Sequence, residues 1–205
     1  MISGIILASG NSKRMGQNKL LMKYKEKYII EYILDEVIKS DIDEIILVTK
    51  YDKIKEIANK CNNQTSTYEI IERKYYKKKN IKIVENLNSH KGQSESIKLG
   101  IENSNEINDY MFFVSDQPLL KSEIINKIIL EFKNDRNFIV TPRGNPVIFP
   151  NKYKNKLLSL EGDVGGREII KRVSNKKYVD VCEKYLFDID NIEDYNKLIE
   201  GKTYE

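Results

Sequence analysis

The chain has 205 residues, 40% of them hydrophobic and 32% charged, with a net charge of +4. That length buries a sizeable core and fits one large domain or two small ones, and the charge excess is too small to point to nucleic acid. A single histidine, His90, excludes a multi-histidine metal site, and there is no run of 18 apolar residues to span a membrane. The two cysteines, Cys61 and Cys182, show no metal-ligand spacing, and the N-terminus lacks a basic, apolar leader. Both features fit a reducing, cytoplasmic setting.

Ile2 to Ala8 is a short apolar run that reads as a buried parallel strand. Residues 28–40 place Ile29, Ile30, Ile33, Leu34, Val37 and Ile38 on one helical stripe. Glu44 to Thr49 is a second buried strand, and residues 52–60 a helix. Cys61 to Asn80 is polar and basic, and fits either a lid or partner-docking loop or a solvated insertion. Ile81 to Asn86 is a third strand, and residues 94–104 a helix with Ile97 and Ile101 one turn apart. Tyr110 to Pro118 is a strand running into an acidic turn. Residues 121–133 form a helix with Ser122 as N-cap and Ile124, Ile125, Ile128 and Ile129 inward. Residues 138–142 and 146–150 are short strands. Two shorter helical stretches, a strand over 177–183, an acidic segment at 187–191 and a helix over 192–200 complete the chain.

Strands alternating with helices predict a doubly wound α/β fold with a mostly parallel sheet. Such sheets bind ligands at the carboxyl ends of their strands. Two segments with chemistry sit there: the glycine loop after the first strand and the acidic turn "SDQP". The loop is no Walker motif, because Gly10 and Gly16 have five residues between them and Lys19 follows three positions later. It is no dinucleotide fingerprint either. Small residues at Ala8, Ser9 and Gly10 admit a base or phosphate close to the backbone. Arg14 offers a bidentate fork, and Lys13 and Lys19 add point charges.

Six segments in order carry a family resemblance. "LASGNSKRMGQNKLL" resembles the LAAGxSxRMGxxKLL signature of MobA-like nucleotidyltransferases, among them the molybdenum cofactor cytidylyltransferases. "GQSESIKLGI", "SDQPLL", "RGNPVIFP", "GDVGGREII" and "DIDNIEDY" resemble the later family motifs GMSSSLxxGL, GDQPLL, GHPVLF, GDxGAR and DIDTPEDL. Ser9, Gln93 and Asn145 stand where the family commonly has Ala, Met and His. The resemblance implies a three-layer, Rossmann-like nucleotidyltransferase sandwich of GT-A type. It also implies one domain over residues 1–205 with a basic insertion at about 61–80.

The implied reaction is Mg²⁺-dependent transfer of CMP from CTP to a pterin-phosphate acceptor with release of pyrophosphate. Alternatives are guanylyl transfer or another acceptor in selenium-dependent molybdenum hydroxylase maturation, and a cofactor-binding chaperone without turnover. An apo-molybdenum hydroxylase or its maturation factor is the implied macromolecular partner, with neither nucleic acid nor membrane involved. A phosphate acceptor is already anionic near neutral pH, so no histidine base is required, and catalysis rests on placing two anions together and neutralising them.

By resemblance, Arg14, Lys19 and Asp116 are catalytic. Leu7, Ala8, Ser9, Gly10, Gly16, Ser94 and Ser96 join those three in binding the nucleotide. Gly144, Asn145, Pro146, Gly162, Asp163, Gly166 and Arg167 form the acceptor side. Asp116 is a metal ligand, and of Asp188 and Asp190, which strand alternation turns to one face, Asp190 is preferred as the second. Ser94 and Ser96 also suit ordinary helix caps, Asp190 or Asn191 suits a cap on the last helix, and His90 suits a loop position near the site.

Overall fold

The computed structural model describes residues 1–12, 15–64 and 79–203. Arg14, Lys13 and the greater part of the basic insertion, residues 65–78, lie outside the described residues. The elements run β1 (Ile2–Ala8), a two-stranded hairpin of β2 (Lys23–Tyr24) and β3 (Lys27–Tyr28), α1 (Ile29–Lys39), β4 (Glu44–Thr49), α2 (Asp52–Gln64) and β5 (Ile81–Glu85). They continue with α3 (Gln93–Glu102), β6 (Asp109–Val114), α4 (Ser122–Asn134), β7 (Ile139–Thr141), β8 (Val147–Phe149) and α5 (Lys154–Leu158). The chain closes with α6 (Arg167–Arg172), β9 (Lys176–Tyr178) and α7 (Ile192–Glu200).

Seven strands form one sheet in the order β5-β4-β1-β6-β8-β7-β9. β5, β4, β1 and β6 are parallel, β8 runs antiparallel between β6 and β7, and β9 is parallel to β7. The mostly parallel α/β sheet predicted from the alternating pattern is thus present. Consecutive residues of β1 divide between its faces. Ile2, Ile6 and Ala8 pack with α1, α2 and α4, whereas Ile5 packs with Ile97 and Ile101 of α3. This alternation is what a strand covered on both faces requires. Burying each such aliphatic side chain contributes on the order of 2 kcal/mol. α3 lies close on the sheet because Gly100 has no side chain; a Cβ there would fall 2.3 Å from Ile5 Cγ2.

Two expectations require correction. Ser122 is not the N-cap of α4. Lys121 holds that position without a side-chain bond, and the Ser122 N–H instead donates to the Glu36 carboxylate of α1 at 2.9 Å. A neighbouring helix supplies the capping oxygen, so the local Ser signal is overridden. The strand expected over 177–183 ends at Tyr178. Its partner β7 is only three residues long, and the last ladder bond beyond it runs from Val179 N–H to Thr141 O at 3.0 Å.

The chain winds from β1 outward through β4 to β5, then returns over α3 to β6 on the other side of β1. The sheet order therefore reverses between β1 and β6, and the loops leaving these two strands splay apart into a crevice.

Candidate active site

The loop after β1 and the turn after β6 meet through Lys19 and Asp116. Asn18 caps the single 3₁₀ turn Lys19–Leu21 by accepting from the Leu20 N–H at 3.1 Å, and buried Leu20 anchors that turn. Lys19 Nζ then donates to the Asp116 carboxylate and, at 2.6 Å, to the Ile189 carbonyl. It also lies 3.8 Å from Asp190 Oδ1. The Ile189 N–H donates in turn to the Asp116 carbonyl at 3.1 Å, which ties the two acidic segments together.

Asp116 Oδ1 is buried and has no hydrogen-bond partner among the described residues. A buried carboxylate oxygen without a partner is costly unless a ligand completes it. Asp116 and Asp190 both approach one ammonium, so a single cation can reach both. Among the described residues no group of three or more His, Cys, Asp or Glu side chains gathers to hold a metal. Two carboxylates suit Mg²⁺, which completes its octahedron from phosphates and water.

Two cavities open on this end of the sheet. One, of about 730 Å³, is lined by Leu7, Ser9, Gly10, Lys19, Ser96, Asp116 and Asp190, together with His90 and Lys91. Six of the ten predicted nucleotide residues line it: Leu7, Ser9, Gly10, Lys19, Ser96 and Asp116. The other, of about 870 Å³, is lined by Gly144, Asn145, Asp163, Gly166 and Arg167 from the predicted acceptor side, with Arg143, Phe112, Phe149 and Tyr178. Its walls come from the carboxyl ends of β7 and β9 and from the turn between β7 and β8. The Arg143 guanidinium stacks over the Tyr178 ring at 5.4 Å. Leu7, Gln93 and Asp163 line both cavities, so the two adjoin.

Several predicted residues stand elsewhere. Ala8 is fully buried, and its carbonyl accepts from Thr49 Oγ1 at 3.0 Å. The Ser9 hydroxyl turns to the Val48 carbonyl at 3.2 Å, although the residue lines the nucleotide-side cavity. Ser94 is buried and its hydroxyl has no partner among the described residues; its N–H donates to the Gly162 carbonyl at 3.2 Å. It is Ser96 that faces the cavity, receiving a hydrogen bond from Asn86 Nδ2 at 2.9 Å. Gly16, Pro146 and Gly162 line neither cavity. Asn191, not Asp190, caps α7, accepting from the N–H groups of Glu193 and Asp194.

Asp188 and Asp190 do not act as a pair on one cavity: Asp188 lines the larger and Asp190 the smaller. Buried Ile189 between them is the pivot. Asp188 is exposed at the cavity wall, yet enough protein crowds its carboxyl to weaken its hydration. That desolvation, with the Asp116 charge nearby, pushes its pKa up to about 7.

No local pattern in the chain marks the clamp on the glycine loop. Tyr51 donates its hydroxyl to the Gly10 carbonyl at 2.7 Å, and Lys50 bonds the Asn11 side chain. Both residues follow β4, the neighbour of β1, so the rule that ligands gather at strand carboxyl ends was the available signal.

The model of the MobA-like NTP transferase domain matches residues 4–178. The chain belongs to this family. It is 29% identical over 143 residues to a probable molybdenum cofactor guanylyltransferase of Natranaerobius thermophilus, a match covering 69% of this chain and 60% of that protein. It is 28% identical to an adenosylcobinamide-phosphate guanylyltransferase of Methanocaldococcus jannaschii, across 94% of this chain and 93% of that one. Rv0371c of Mycobacterium tuberculosis, solved in complex with manganese, shares the fold with a TM-score of 0.69 at 20% identity, over 97% of this chain and 98% of that one.

Proposed function

We propose that this MobA-like NTP transferase moves CMP from CTP to a molybdopterin-type phosphate acceptor in the cytoplasm. The observation that carries this reading is the junction of two cavities beside Lys19 and Asp116. One cavity offers a glycine loop with cations, and the other offers arginines and aromatic rings.

In this reading an acceptor phosphate oxygen attacks the α-phosphorus of the nucleotide. The bond from that phosphorus to the bridging oxygen breaks, and pyrophosphate leaves with the electron pair. No proton has to be removed from an acceptor that is already anionic. Asp116 and Asp190 would hold Mg²⁺, which supplies positive charge to the triphosphate when bound. Lys19 offsets charge on the leaving pyrophosphate, and Arg14, whose side chain lies outside the described residues, is assigned the same task. Gly144, Asn145, Gly166 and Arg167 orient the acceptor.

Guanylyl transfer is the second reading, favoured by the names of the two relatives above. Pyrophosphate release from each of the four NTPs, with Mg²⁺ and molybdopterin, separates the two. Release with CTP alone supports the first, and release with GTP alone replaces it with the second. Tight pterin binding with no release from any nucleotide removes both and leaves a carrier.

A further inference from the structure

The acceptor-side cavity has an apolar floor. Phe112 and Phe149, both buried, meet edge to face at 5.9 Å between ring centres and line it together. Its outer wall is a turn held against a strand end. Thr141, the last residue of β7, pairs with Tyr178, the last of β9, and the Val179 N–H donates to the Thr141 carbonyl at 3.0 Å. Thr141 Oγ1 donates to the Gly144 carbonyl at 2.7 Å and closes the turn. Within it Arg143 has a φ of +72°, a conformation that residues other than glycine rarely adopt.

The turn brings the Arg143 guanidinium over the Tyr178 ring, 5.4 Å from its centre. Of the cation–ring pairs among the described residues, only this one has both members on either of the two cavities. Arg143 makes no ion pair or hydrogen bond to another described residue, and the Tyr178 ring stays 50% exposed. A guanidinium stacked on a ring keeps its in-plane N–H groups free for a ligand. β8 separates β7 from β6, and β9 lies one strand further out. At about 4.8 Å per strand, the pair stands roughly 10 to 14 Å from the strand that leads into Asp116. Stacked on Tyr178, the guanidinium is held away from a phosphate beside Lys19 and Asp116.

We infer that Arg143 and Tyr178 form a specificity-determining shelf for a flat, nitrogen-containing aromatic ring at the end of the acceptor remote from its reacting phosphate. The pair offers a plane for stacking, and the free N–H groups of Arg143 suit the oxygen and nitrogen acceptors on the edge of such a ring. The Phe112–Phe149 floor keeps water from beneath it. A bare phosphate or a sugar phosphate gains no stacking there, so the shelf selects acceptors by their ring. Because it holds the ring equally before and during transfer, it lowers the acceptor KM and leaves kcat alone. The inference builds on the reading of this cavity as the acceptor side.

Two readouts test it. Fluorescence titration with an oxidised pterin that carries no phosphate reports ring binding without turnover. Pyrophosphate release with Mg²⁺, molybdopterin and the NTP that wild type uses gives acceptor KM and kcat. Tyr178→Leu and Arg143→Lys, which keeps the charge but not the plane, should each raise pterin Kd and acceptor KM about tenfold, with kcat and Tm kept. Tyr178→Phe, which keeps the ring, should bind the pterin as wild type does. Wild-type pterin Kd and acceptor KM in Tyr178→Leu, beside an active wild type, overturn the shelf and leave the transfer reaction standing. Full affinity in Arg143→Lys also overturns it, since a point charge then suffices, as does a wild type that does not bind the pterin. Pterin binding by wild type that weakens in Tyr178→Leu, with no pyrophosphate from any NTP, supports the ring site and removes the transfer reaction.

Discussion

Lys19 Nζ stands 3.8 Å from Asp190 Oδ1 while donating to Asp116 on its other side. One ammonium thus holds together two carboxylates from well-separated segments of the chain. Replacing Lys19 leaves both without their cation. Lys19→Met should raise the transition-state barrier by about 3 kcal/mol, a hundredfold loss in kcat. Steady-state pyrophosphate release checks it, and a kcat within threefold of wild type would exclude a charge-offsetting role.

Asp116→Ala should abolish turnover while the fold persists, because Asp116 Oδ1 is a buried oxygen without a partner among the described residues. Calorimetry with Mn²⁺ in the presence of a non-hydrolysable NTP should show weakened metal uptake. Retained activity in this variant would refute the metal assignment.

Asp188 gives a pH dependence of definite sign. Its folded pKa of about 7 lies above its ordinary 3.8. Between these values the folded state holds the extra proton, so this group's contribution to stability falls as pH rises from 3.8 to 7 and is lost above 7. Asp188→Asn should remove that slope. Tm measured from pH 4 to 8 without metal should fall more steeply for wild type than for the variant, and parallel curves would contradict the assignment.

The two loops of the nucleotide side are fixed by separate contacts. Tyr51→Phe removes the bond to the Gly10 carbonyl and should weaken NTP binding by about 1 kcal/mol, roughly fivefold, with little change in Tm. Gly92 has a φ of +104°, and a Cβ there would fall 2.3 Å from the Gly162 carbonyl carbon, so Gly92→Ala should destabilise the fold by about 3 kcal/mol in urea unfolding. Alanine tolerated there would mean that the loop 162–166 is not locked to α3.

Much of this architecture was legible in the chain. The apolar runs of β1, β4 and β6 and the stripe of α1 are periodic and buried on both sides, so local pattern and tertiary environment agree. Lys19 and Asp116 were named together by the family resemblance, and the fold brings the two into contact. What was not legible depends on contacts across the sheet. Ser94 looked like a cavity residue by its place at a helix start, but it is fully buried and Ser96 is the one that lines the cavity. Strand alternation put Asp188 and Asp190 on one face, yet the segment 187–190 is no strand in the structure, and the two line different cavities. The Tyr51 clamp joins residues far apart in sequence and has no local signature.

Transfer of label from α-phosphate-labelled CTP to the acceptor is the most direct test of the central claim. With Mg²⁺ and molybdopterin, wild type should place the labelled phosphate on the pterin and release an equal amount of pyrophosphate, and Asp116→Ala should do neither. Absence of labelled acceptor with both CTP and GTP, in protein that binds the pterin, would contradict the account that the two cavities share one transfer reaction.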